Sequence, residues 1–177
     1  MANKILFKVS DPPQNVQNPF SGRKASHDNP NFDRGEYQEI YKLEEKSECL
    51  VDGNNNVQGI KQWPLLLWKN LDIDTPFFKE CLIRNLVIGE MSFHFFHNRN
   101  DPHSVNHFTM ILKRVKVLES QVLLLDISDD TPNNRGPNAE TPYIEQLKLS
   151  ASEITWKYSR ANQPREGTKT TVFQIGD

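Results

Sequence analysis

The sequence predicts a mainly β domain: a barrel or sandwich of two packed antiparallel sheets with one short helix. Three observations carry this. Period-two alternation of apolar residues runs through LVIGEMSFHFFHN and FTMILKRVKV. Clusters of Pro, Asn, Asp and Gly separate the alternating runs. One segment alone, TPFFKECLIR, carries a helix start signal. Six to eight strands around one helix in a chain of 177 residues fit a closed or two-layered β fold.

In chain order, ILFKVS alternates and reads as the first strand. Residues 11–35 are dense in Pro, Asn, Asp and Gly and read as a long loop. EYQEIYKLEEKSE places Tyr37, Glu39, Tyr41 and Leu43 on one alternating face, as one strand with a charged end. VDGNNNVQG reads as a loop, because Gly and Asn tolerate left-handed backbone. QWPLLLWKNLD reads as a strand whose proline suits an edge or a start. Thr75 can cap a helix over about 75–84, with Pro76 at its first position. In the next strand Val87, Met91, Phe93 and Phe95 share one face, and Glu90, Ser92 and His94 the other. HFTMILKRVKVLES and QVLLLDIS read as two further strands, and residues 129–142 as a second long loop. YIEQLKLSASEITWKYSR is a long strand bulged near Ser150 to Ser152. The tail, 161–177, carries a short last strand over Thr170 to Ile175. No internal repeat divides the chain, so a single domain over 1–177 is expected.

Composition narrows the function. A net charge of −2 supplies no basic field for nucleic acid. No apolar run approaches the roughly 20 residues that span a bilayer, so membrane insertion is not expected. The N-terminal apolar stretch is too short for a signal-peptide core, so export would need a dedicated route. Cys49 and Cys81 are the two cysteines, read as reduced thiols rather than a disulfide framework.

Four of the five histidines lie in FHFFHNRNDPHSVNHF. His94 and His97 are three apart on a strand and therefore point to opposite faces. His97, His103 and His107 could converge at a hairpin tip, but they lack the cysteine or acidic partners typical of zinc sites. Ser92 precedes His94 by two residues, without the strand-to-helix elbow of a nucleophilic serine. No metal, cofactor or catalytic set is assigned. Strands such as QVLLLDIS and QWPLLLWK are more apolar than a half-buried sheet in a small monomer requires, which points to association with further copies.

Three segments resemble the hemolysin-coregulated protein (Hcp) family, the tube-forming subunits of bacterial type VI secretion systems. In WKNLDIDTPFFKECL, Lys69, Leu71, Asp72, Thr75, Pro76 and Cys81 match the family's lysine, aliphatic-Asp step, Thr-Pro helix start and small residue near the helix end. In the strand HFTMILKRVKVLES, Leu112, Val115 and Val117 match its Leu-x-x-Val-x-Val pattern. In the closing strand, Ile154, Thr155, Trp156 and Tyr158 match a third motif. The matches span residues 62–160.

The resemblance implies a two-sheet barrel with one helix that assembles as hexameric rings. Rings would stack into a tube, propelled by a contractile sheath, tipped by a valine-glycine repeat spike protein and able to hold effector proteins. It implies assembly in the cytoplasm, secretion without a signal peptide, no enzymatic activity and no cofactor. The loop residues Asp52, Gly53, Asn54, Asn55 and Asn56, and residues 133–138, are expected at ring faces. The long 11–35 loop and the charged strand EIYKLEEKSE depart from the family pattern, so no lumen contact is carried over. Two other readings are a tail-tube subunit of a phage or similar contractile particle, and a small metal-dependent β-barrel enzyme or ligand-binding domain using His97, His103 and His107.

Overall fold

The computed structural model describes residues 4–19, 37–96, 106–124, 143–158 and 169–174. Their elements run β1 (Lys4–Asp11), β2 (Gln38–Glu44), β3 (Ser47–Val51), β4 (Val57–Gln62), β5 (Leu65–Asn70), α1 (Thr75–Ile83), β6 (Val87–Phe96), β7 (Asn106–Leu124), β8 (Tyr143–Ser150), β9 (Glu153–Tyr158) and β10 (Lys169–Gln174). Strands β7, β6, β1, β2, β5 and β8 pair in that order, and β8 returns to pair with β7. The expected β fold with one helix is therefore a closed six-stranded barrel, in which the backbone donors and acceptors of six strands meet around a ring. β9 and then β10 extend the sheet from β7, while β3 and β4 form a separate two-stranded ribbon.

Closure depends on β7, which is a single strand of 19 residues rather than two. Its first half pairs with β6, from Phe96↔Asn106 to Val87↔Lys116. Its other edge meets β9 over Phe108 to Lys113 and β8 over Lys116 to Leu124. β8 and β9 thus follow one another along β7, broken only at Ala151 and Ser152, where the sequence suggested a bulge. Opposite that break Arg114 adopts φ 51°, an uncommon left-handed conformation for a residue with a side chain. Ser152 N donates to Lys113 O at 3.0 Å and holds the bulge in place.

Several boundaries differ from the sequence expectation for local reasons. EYQEIYKLEEKSE is split at Glu45 and Lys46, so that β2 belongs to the barrel and β3 to the ribbon. Within β2 the register shifts between Ile40 and Lys42, so the inward set is Gln38, Ile40 and Leu43 rather than a strict alternation through Tyr37 and Glu39. Pro64 lies between β4 and β5, where no ladder hydrogen bond is lost. In β6 the inward residues are Ile88, Met91 and Phe93, whereas Val87 is exposed at the strand's start. Asp74, not Thr75, is the helix N-cap residue, and it makes no side-chain capping bond.

The barrel is filled. Phe7, Leu67, Phe78, Ile88, Met91, Phe93, Leu112, Val115, Leu147 and Leu149 are all fully buried in one cluster. Helix α1 contributes Phe77, Phe78 and Cys81 to it. The Phe78 ring lies 6.1 Å from Phe7, which stacks on Phe93 at 6.0 Å. Each such side chain contributes about 1.5–3 kcal/mol of burial energy, so these rings are a main source of stability.

Candidate functional site

Two features stand out once the core is drawn: an ionic cluster sealed inside the barrel and an apolar ribbon projecting outside it.

The cluster arises from strand alternation. Leu65, Leu67 and Lys69 are the buried positions of β5, and Glu145, Leu147 and Leu149 continue the inner face of β8. Lys69 stands opposite Glu145 in the β5–β8 register. Lys69 Nζ lies 2.6 Å from Asp74 Oδ1 and 3.0 Å from Glu145 Oε2, and none of the three side chains is exposed. The ammonium also donates to Asn70 O at 2.9 Å and to Thr75 Oγ1 at 3.3 Å. The Thr75 hydroxyl donates to Glu145 Oε2 at 2.7 Å, and Ser120 Oγ donates to Glu145 Oε1 at 2.7 Å. Asp72 N donates to the same Thr75 oxygen, and Gln38 Nε2 donates to Asp72 Oδ2 at 3.2 Å. The cluster therefore fastens β5, the β5–α1 turn, α1, β7 and β8 to one another.

Two carboxylates share one cation here, and all three side chains are buried. Burial pushes the Asp74 carboxyl up to about 6, against the pull of Lys69. Asp74 Oδ2 is buried without a hydrogen-bond partner, which costs less for a neutral carboxyl than for an ionised one. Lys69, Asp72, Thr75 and Pro76 were singled out from the sequence, whereas Asp74 and Glu145 were not. The missed signal was a charged residue in phase with buried leucines, in YIEQLKLS as in LLLWKN.

The ribbon has the opposite character. Every residue of β3 is exposed, as is most of β4. Leu50, Val51, Val57 and Ile60 are between 45% and 67% exposed. Its tip, Asp52 to Asn56, is a built turn rather than a loose loop. Asp52 Oδ1 accepts from Asn54 N at 2.8 Å and from Asn56 N at 2.9 Å, and Oδ2 accepts from Asn56 Nδ2 and Gln58 Nε2. These bonds hold the Asp52 carboxyl below the usual carboxylate range. Asn55 supplies the left-handed residue, at φ 62°. Trp63 anchors the ribbon's base: its Nε1 donates to Glu48 at 2.9 Å, and Lys61 lies 3.7 Å over its ring.

The remaining singled-out residues are scattered. Leu112, Val115, Val117 and Ile154 are core residues, Trp156 packs half-buried against them, and Tyr158 is 43% exposed. His97, His103 and residues 133–138 lie outside the described residues, and His107 is half-buried on β7. Among the described residues, no group of three or more His, Cys, Asp or Glu is placed to hold a metal ion. His94 sits between Ser92 Oγ, 3.1 Å from Nε2, and Asn106 Nδ2, 3.1 Å from Nδ1, with Tyr37 edge-on. Burial pushes its imidazole down to about 4, so it is neutral at physiological pH and a poor base. Cys81, buried in the helix, is pushed up to about 11, which keeps it a thiol; Cys49 is free and exposed on β3. A groove of about 340 Å³ beside Trp63, Arg114 and Ala151 is lined by no carboxylate, histidine or cysteine.

Among the described residues, a closed six-stranded barrel carries one helix and a projecting two-stranded ribbon, and solved structures share this arrangement. No family profile matches the sequence, and no curated protein is detectably similar to it. The fold nevertheless corresponds over nearly the whole length to Hcp structures. A crystal structure of an Hcp protein covers 97% of this chain and 99% of its own, with a TM-score of 0.71 at 13% identity. Hcp1 of the E. coli EAEC 042 pathovar, solved as a double mutant, covers 98% of both chains, with a TM-score of 0.66 at 18% identity. The secreted protein Hcp3 from Pseudomonas aeruginosa covers 99% of this chain and all of its own, with a TM-score of 0.62 at 9% identity. The chain has the Hcp fold.

Proposed function

We propose that this protein is a structural subunit of a type VI secretion inner tube rather than an enzyme. The observation that supports this most directly is the end-to-end correspondence with Hcp structures. In this reading the chains close into hexameric rings through a heterologous interface, and the rings stack into a tube. The apolar ribbon and its Asp52–Asn56 turn make contacts between neighbouring rings. The tube is assembled in the cytoplasm within a contractile sheath, carries a valine-glycine repeat spike protein at its tip and is expelled with it. Effector proteins travel in its lumen. No cofactor is required.

The hydrophobic exposure of the ribbon supports association. A two-stranded ribbon with both faces in water is marginal by itself, and its exposed Leu50, Val51, Val57 and Ile60 have area to bury on a partner. Negative-stain microscopy and analytical ultracentrifugation of purified protein test the proposal: rings are expected, and a monomer that persists at high concentration would count against it.

A further inference from the structure

The sealed cluster of Lys69, Asp74 and Glu145 has a chemical possibility that tube formation does not use. We propose that Lys69 and Asp74 become joined by a side-chain amide, an intramolecular isopeptide bond, with Glu145 as the proton relay.

The geometry supplies each requirement. The nucleophile is already hydrogen-bonded to the carboxyl it would attack, with Lys69 Nζ 2.6 Å from Asp74 Oδ1. The relay is adjacent, with Glu145 Oε2 3.0 Å from the same nitrogen. Glu145 is held in orientation by hydroxyls at both oxygens, from Thr75 and Ser120, each at 2.7 Å. All three reacting side chains are fully buried, and the Phe78 ring lies 5.9 Å from Lys69 Nζ. Holding the partners together in this way replaces a bimolecular encounter with a unimolecular step.

Burial also selects the reactive protonation state. With all three groups ionised the cluster holds one excess negative charge, which burial in a low-dielectric interior disfavours. One proton on Asp74 removes the excess and makes a carboxylic acid, which leaves the unpartnered Oδ2 at a lower cost than an anionic oxygen there. Moving one further proton, from the Lys69 ammonium to Glu145, leaves an amine and two neutral acids. That is the one arrangement of the three groups with no charge at all, and it is the reactive one.

The amine then attacks Asp74 Cγ and a C–N bond forms. The new tetrahedral centre turns its Oδ2 hydroxyl toward Glu145, which protonates it; the C–Oδ2 bond breaks, one water leaves, and Glu145 takes the surplus proton from the nitrogen. Glu145 ends as it began, no oxidant or activating group is needed, and the excluded solvent disfavours hydrolysis. The proposal does not depend on the tube reading, because it concerns the interior of one chain.

Peptide mapping of the purified, denatured full-length protein tests it. Trypsin cuts after free lysine, so an amide at Lys69 leaves residues 62–79 as one peptide. That peptide should be lighter by one water, with no fragment ions between residues 69 and 74. Glu145→Gln, which keeps both partners, should yield cleavage after Lys69 and the full mass. Wild-type peptide cut at Lys69 with no water lost, even after prolonged incubation of the folded protein, would overturn the proposal. So would a Glu145→Gln protein linked as completely as wild type. The wild-type measurement stands whether or not the variant folds.

Discussion

Lys69 and Glu145 face one another across β5 and β8, with Nζ and Oε2 3.0 Å apart inside a barrel filled mostly with apolar side chains. The two residues share a register position, so a slip of one strand by one residue would turn its charge and its leucines outward and leave the other charge buried without its partner. The pair thus fixes pairing at the point where the chain leaves the barrel to form α1.

Replacing Lys69 should be among the most damaging single changes. Lys69→Met leaves Asp74 and Glu145 as two buried carboxyls with no cation, and a loss of about 3–5 kcal/mol is expected from urea unfolding. The variant's loss should shrink in mildly acidic buffer, because Asp74, pushed up to about 6 even beside Lys69, rises further without it and then takes up a proton. A loss that is equal at pH 5 and pH 8 would contradict this account of the cluster.

His94 predicts an acid limit to stability. Its imidazole is pushed down to about 4 by burial and by Lys8, below its ordinary value of 6.5. The unfolded chain therefore takes up the proton more readily than the folded one. The stabilisation from keeping His94 neutral is complete above pH 6.5 and is lost as pH falls from there toward 4. Unfolding curves of wild type and His94→Asn should converge over that interval, and the imidazole resonances should titrate near 4 by NMR.

The signature positions differ in weight according to burial. Leu112→Ala, at a fully buried position, should cost about 2–5 kcal/mol. Tyr158→Ala, at a position 43% exposed on β9, should cost well below that, within about 1 kcal/mol. Thermal unfolding of the two variants side by side would show the ordering, and equal losses would mean that β9 packs more tightly than its exposure indicates.

The ribbon should separate folding from association. Val51→Ser, Val57→Ser and Ile60→Ser combined remove exposed apolar surface, so the monomer's unfolding midpoint should move by about 0.5 kcal/mol or less per site. Sedimentation should instead shift toward smaller species or shorter stacks. Unaltered assembly in this variant would exclude the ribbon from the contacts between copies.

The legibility of this fold in its sequence varied with the kind of signal. Thr75-Pro76 announced the helix because proline at a first turn is a local event, and FHFF and FTMILKRVKV showed their strands through burial on one face. VDGNNNVQG has the composition of a loop although its ends belong to ribbon strands, because a strand exposed on both faces leaves no alternation to detect. The long β7 was read as two strands, because its continuity past Glu119 depends on pairing with β8, a distant segment. The Lys69 cluster was half visible. Lys69 stood within a recognisable segment, but its partner Glu145 is brought to it by barrel closure, which no local pattern encodes. The split of β2 from β3 likewise follows from where the barrel ends, not from the charged residues Glu44 to Lys46 themselves.

The filled barrel has one geometric consequence. Phenylalanine, leucine and methionine side chains occupy its axis from wall to wall, so no molecule can thread through a single chain. Any conduit built from this protein must be bounded by the outer walls of several copies. Its bore is then set by how many chains close the circle and how they tilt, and its lining by residues that the isolated subunit shows to water.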